Sequence, residues 1–100
     1  MPNPVADFPW KYKHVTASVQ VKEGIGVLHT IVVNGLTTAG DVTVYDAVGA
    51  VVPVIAVLHL DVATSVSLQP ITLLYDIEFG AGLYLEYEQG AAADLTVTYQ

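Results

Sequence analysis

The chain has 100 residues, 53% of them hydrophobic and only 13% charged, with a formal net charge of −7. One hundred residues make a single domain with one core, because halves of that size would not fold alone. Three lysines and no arginine are too few to replace counterions on phosphates, which argues against nucleic-acid binding, and the lack of cysteine excludes disulfides and thiolate metal sites.

Seventeen valines, nine threonines and six tyrosines favour pleated backbone. The expected fold is all-β: a single antiparallel β-sandwich, jelly-roll or immunoglobulin-like, with an extended N-terminal arm. The arm is assigned to residues 1–13 and the sandwich to residues 14–100. Pro2, Pro4 and Pro9 remove backbone donors and favour extended geometry in the arm. Phe8 and the single tryptophan, Trp10, are expected to dock the arm on the body or on a neighbouring subunit. The opening residues lack a basic stretch and a continuous apolar run, so no secretory leader is expected. No segment has the roughly 20 apolar residues that span a bilayer as a helix, so no membrane partner is expected.

From Lys11 to Lys22 strict alternation predicts one half-buried strand, with Val15, Ala17, Val19 and Val21 on one face. Glu23-Gly24 follows as a turn. Ile25 to Asn34 is more continuously apolar and reads as a strand buried on both faces. Asn34-Gly35 has the chemistry of a tight turn. Asp41 to Ala47 alternates again, and Val51 to Leu60 is a strand with Pro53 near its start, hence at a sheet edge. Residues 61–70 read as loop or short strand. Ile71 to Phe79 puts Leu73, Tyr75, Ile77 and Phe79 on one face, before a turn at Gly80 and Gly82. Leu83–Glu88 and Asp94–Tyr99 are expected to close the domain as a hairpin. Seven or eight short strands about ten residues apart fit a sandwich.

Charge is lopsided. Lys11, Lys13 and Lys22 against Asp7 give the first 22 residues +2, and nine acids give the remainder −9. Such a split suits an N-terminal segment that touches an acidic surface while the body repels its copies.

His14, His29 and His59 fall in three different strands, with no second His or Cys at ligand spacing. The pairs Asp76–Glu78 and Glu86–Glu88 stand about 6–7 Å apart along a strand, within the range of glycosidase acids. Alternating acids also keep a strand face wet and block edge pairing, and that reading is preferred. Asp41, Asp46, Asp61, Asp76 and Asp94 sit at strand ends or turns, where calcium sites occur, but no DxDxDG loop is present. Ser18, Ser65 and Ser67 lack a nucleophile elbow. The reading is a chain that is not an enzyme, with no catalytic, cofactor or metal residues. Val48, Ala50, Val51, Val52 and Val54, and separately Ala91–Ala93, form small-residue apolar tracts suited to close packing against a partner or the core.

Four runs stand out: Gly26-Val27-Leu28-His29-Thr30-Ile31-Val32-Val33-Asn34; Gly40-Asp41-Val42-Thr43-Val44-Tyr45-Asp46; Tyr75-Asp76-Ile77-Glu78-Phe79 with Gly82-Leu83; and Ala93-Asp94-Leu95-Thr96-Val97-Thr98-Tyr99. Their pattern resembles small β-sandwich virion proteins of tailed bacteriophages, over residues 15 to 99. The resemblance implies a head-decoration (cement), head-fibre or related structural protein. It would bind the major capsid protein or another virion protein and stabilise the lattice. It also implies a homo-oligomer, a trimer favoured over a dimer, assembled in the bacterial host cytoplasm and carried in the virion. Phe8, Trp10, Lys11 and Lys13 are the expected partner-contact residues. The rival expectations are a carbohydrate-binding or adhesin-like module using Trp10, Tyr12 and Tyr84, and a small hydrolase using an acid pair.

Overall fold

The computed structural model describes residues 10–60 and 71–100, and every helix or strand among them is a strand. In chain order they are β1 (Lys11–Val15), β2 (Val19–Glu23), β3 (Gly26–Thr38), β4 (Gly40–Tyr45), β5 (Val54–Leu60), β6 (Ile71–Phe79), β7 (Gly82–Tyr87) and β8 (Ala92–Tyr99). They form two antiparallel four-stranded sheets, ordered β1-β8-β3-β6 and β2-β7-β4-β5. Only β4 and β5 are neighbours both in sequence and in a sheet. Every other connection crosses from one sheet to the other.

Side chains alternate across a strand, so each sheet has one apolar face. Val42 and Val44, Leu83 and Leu85, and Leu95 and Val97 are buried, while Thr43, Tyr84 and Thr96 between them are not. The inward residues of both sheets merge into one cluster: Val15, Leu28, Ile31, Phe79, Leu95 and Val97 from the first, Val21, Val42, Val44, Leu58, Leu83 and Leu85 from the second. That is a β-sandwich, as expected. Among the described residues no polar or charged side chain is buried, so desolvation takes little from this core. Phe79 is the largest fully buried side chain. Its ring lies against Gly26, where a Cβ would come within 2.6 Å of Phe79 Cζ and 2.3 Å of the Gln100 carbonyl oxygen.

Several local expectations change. The alternation from Lys11 to Lys22 is two strands, not one, because Thr16 and Ala17 bend and carry the chain from the first sheet to the second. Val15 and Val21 enter the same core from opposite sides, so the alternation survives a corner that it cannot reveal. Ser18 Oγ accepts the Tyr87 N–H at 2.9 Å there. Asn34-Gly35 does not turn: β3 continues to Thr38, with Gly35 opposite Asp94 and Leu36 opposite Ala93. The Asn34 amide donates to Asp94 and Thr96 across the ladder, which gives its side chain an extended role. β3 is central yet buried on one face only, through Leu28, Ile31 and Val33. β7 and β8 are not a hairpin. They belong to different sheets, joined by a turn in which the Ala91 N–H bonds the Glu88 carbonyl and Gly90 takes φ +88°. β1 begins at Lys11, so Lys11–Lys13, grouped with the arm above, pair with Tyr99–Val97. β5 is an edge strand, as Pro53 indicated. Residues 1–9 and 61–70 lie outside the described residues.

Truncating Phe79 to Ala is expected to cost about 3–5 kcal/mol in urea unfolding. Leu74→Ala, at a position 66% exposed, is expected to stay within about 0.5 kcal/mol of the wild type.

Candidate functional site

Trp10, just ahead of β1, stacks on His29 of β3 with ring centroids 4.2 Å apart and planes 7° from parallel. Since β8 lies between β1 and β3, the tryptophan spans a whole strand to make this contact. His29 sits where two ladders slip together. Against β6 the pairing jumps from Leu28–Ile77 to Thr30–Leu74, and against β8 from Leu28–Tyr99 to Thr30–Thr98. Tyr75 and Asp76 therefore face His29 alone, a bulge of the kind that re-aims side chains. Asp76 takes φ +49°, a left-handed conformation that aspartate reaches more readily than most residues. Its carboxylate accepts from His29 Nδ1 and so orients the ring beneath Trp10.

Of the four residues selected from sequence, Trp10 is thus stacked on its own sheet, still 36% exposed. Lys11 is exposed opposite Tyr99, and Lys13 is half-buried opposite Val97. These three lie together along one sheet edge. Phe8 lies outside the described residues.

Every histidine is matched with an aspartate across a strand pair: His14 Nε2 with Asp94 at 2.8 Å, His59 Nδ1 with Asp41 at 2.9 Å, and His29 with Asp76. Asp94 also accepts from the Asn34 amide, and this bond and then that of His14 hold its carboxyl below the ordinary range. Asp46 takes a different role. It accepts from the backbone N–H of Gly80 at 3.0 Å, Ala81 at 2.8 Å and Gly82 at 3.4 Å. Those amides, Ala81 first, hold its carboxyl low. The strand-end aspartates considered for calcium are therefore engaged with imidazoles or backbone amides, apart from Asp61, which is outside the described residues. Among the described residues no three His, Asp or Glu converge on a metal position. Sequence reasoning missed these pairs because their members stand 80, 47 and 18 residues apart.

One end of the sandwich is tied together by polar groups and covered by apolar ones. Asp46 links the β4–β5 connection to the β6–β7 turn, and the Gly24 N–H adds the β2–β3 turn by bonding the Ala81 carbonyl at 2.9 Å. Gln20 Nε2 reaches the carbonyls of Lys22, Ala47 and Leu83 at 2.8–3.0 Å, and its Oε1 accepts the Gly49 N–H at 2.8 Å. With the backbone so engaged, Ile25, Val48, Val51 and Val52 stand outside, Val52 at 79% exposure.

The aromatics proposed for a sugar site do not gather. Tyr12 is exposed on β1, whereas Tyr84 lies on the outer face of the second sheet beside Tyr45, ring centroids 6.4 Å apart. The Tyr45 hydroxyl donates to Glu86 at 3.1 Å, which engages one acid of the Glu86–Glu88 pair. Tyr87 is structural: its hydroxyl donates to the carbonyls of Val15 and Ala93, and burial pushes its pKa up to about 12.

A carboxyl with a depressed pKa stabilises the fold above its unfolded value near ~3.9 and loses that contribution as pH falls through the folded value. Asp46→Asn is expected to lower stability by about 1 kcal/mol at pH 7. It should also flatten the fall in melting temperature between about pH 5 and pH 2. His29→Ala is expected to red-shift Trp10 emission and raise its acrylamide quenching, with the overall fold retained by circular dichroism. Unchanged emission would mean that the stack does not shield the Trp10 ring. Compared with family models, curated proteins and solved structures, the chain matches none.

Proposed function

We propose that this chain is a non-enzymatic structural component of a tailed-bacteriophage particle, a decoration or cement protein that binds the capsid lattice. In this reading the strand order is that of a jelly roll, eight strands in two Greek keys, an architecture found in viral capsid and lectin domains. An extended arm precedes Trp10, the virion is the location, and the major capsid protein or a neighbouring virion protein is the partner. Copies of the chain associate with one another.

The observation that carries this reading is the apolar end. Ile25, Val48, Val51 and Val52 project from connections held in place by Asp46 and Gln20. A preorganised apolar knob is what a protein needs to seat in a lattice depression, since ordering has been completed before contact. Fold alone would not justify the step, because one architecture hosts many functions. Trp10 and the lysines of β1 add a second contact on another edge, suited to an acidic neighbour.

A second reading is favoured by Tyr45, Tyr84 and Glu86, which form an aromatic and acidic group on the outer face of the second sheet, the composition of a carbohydrate site.

The test is to induce the cells that encode this chain and separate tailed-phage particles on a density gradient. The chain is expected in the particle band, and Ile25→Asp with Val52→Asp is expected to weaken that association by roughly tenfold, about 1.4 kcal/mol. Recovery of the chain only outside the particle band would overturn the proposal. Polysaccharide binding that Tyr84→Ala abolishes would then install the second reading.

A further inference from the structure

A sheet edge offers unpaired N–H and C=O groups, and natural sheets block it with charges, bulges or prolines. Among the described residues the two sheets have four edges: β1 and β6 in the first sheet, β2 and β5 in the second. Three are blocked. β1 carries Lys11, Lys13 and His14 within five residues. β2 carries Lys22 and Glu23 and is broken by a register shift after Gln20. β6 carries Asp76 and Glu78 and bends at its bulge. β5, Val-Ile-Ala-Val-Leu-His-Leu, holds no Asp, Glu, Lys or Arg. Its register shift at Ile55 and the preceding Pro53 fall at its N-terminal end, so Ala56 to Leu60 pairs with β4 without interruption. His59 is engaged by Asp41 of β4. Among the described residues no strand lies outside β5.

We propose that β5 is the self-association edge: Ala56–Leu60 of one copy pairs antiparallel with the same segment of a second copy across a twofold axis. The two second sheets become one continuous eight-stranded sheet. Pairing centred on Leu58 sets Leu58 against its own copy, Ala56 against Leu60, and Val57 against His59. The first two pairs extend the core layer, in which Leu58 is buried and Leu60 partly so. The third covers Val57, which is 41% exposed.

The occupant is a second copy because the contact is self-complementary, as a twofold interface must be. Copies with a net charge of −7 repel each other over most approaches, and the uncharged edge is where that repulsion is least. Pairing β1 or β2 would put Lys or Glu into the new ladder, and pairing β6 along its length would add Asp76 and Glu78 and meet its bulge. Strand pairing of this kind makes a dimer in preference to a trimer. It rests on the assembly reading above and names the surface that reading requires.

Light scattering of the full chain over a dilution series, beside Val57→Lys and the β6 control Leu74→Lys, tests it. The wild type and Leu74→Lys are expected at twice the 10.6 kDa subunit mass. Val57→Lys is expected at the single-subunit mass, with its circular-dichroism melt retained. A wild type that stays at one subunit throughout, or a Val57→Lys protein with wild-type mass, overturns the proposal. Should Val57→Lys fail to fold, Val57→Cys with His59→Cys decides, in a chain with no other cysteine. Oxidation to a covalent dimer supports the pairing, and its failure overturns it. A solution dimer absent from the particle band upholds the β5 edge and removes the particle reading, whereas a monomer found in particles does the reverse.

Discussion

The whole structure depends on one apolar layer shared by two sheets, neither of which has a second apolar face to bury. Val42, Val44, Leu83 and Leu85 supply one side of that layer, and Leu28, Ile31, Leu95 and Val97 the other. A single sheet of this composition would leave half of those side chains in water, so neither is stable without its opposite. The demand for a shared layer also explains why the chain keeps crossing between sheets. Each crossing places the next strand on the other side of the core, and long-range pairing such as β1 with β8 closes the sandwich.

Repeated crossing concentrates the connections at the ends of the sandwich, and their backbone polar groups must then find partners away from the ladders. Asp46 and Gln20 supply them at one end. Because two polar side chains satisfy so much backbone there, the remaining positions are free to be apolar, and Ile25, Val48, Val51 and Val52 are. On the outer faces the same economy appears in the histidine–aspartate pairs. Each joins neighbouring strands across a ladder.

Period-two alternation made the strands legible wherever it ran within one sheet. Val42 and Val44 against Thr43 and Tyr45, and Leu83 and Leu85 against Tyr84, point where the alternation places them. It could not show the corner at Thr16 and Ala17, because inward-facing residues stay in phase when a strand changes sheets. Asn34-Gly35 failed as a turn because tertiary partners, Asp94 and Thr96, used the asparagine amide. The β7–β8 hairpin failed for a related reason: short intervals between strands say nothing about which sheet each joins. Trp10 was legible as an anchor by its chemistry. Its seat on His29 was not, since that seat depends on a bulge in two ladders at once. The apolar valine tract was legible as composition, and its exposure came only with the fold.

We propose that charge limits where copies can meet and that the uncharged β5 edge is where they pair. Amide hydrogen exchange along β5 tests that most directly. In an antiparallel ladder alternate amides of an edge strand point away from its neighbour and exchange freely. At high protein concentration the outward amides of Ala56–Leu60 are predicted to be protected like those of a central strand, and to lose that protection on dilution. Fast exchange of the outward set at every concentration, beside a protected inward set, would show that β5 ends the sheet and would contradict the account.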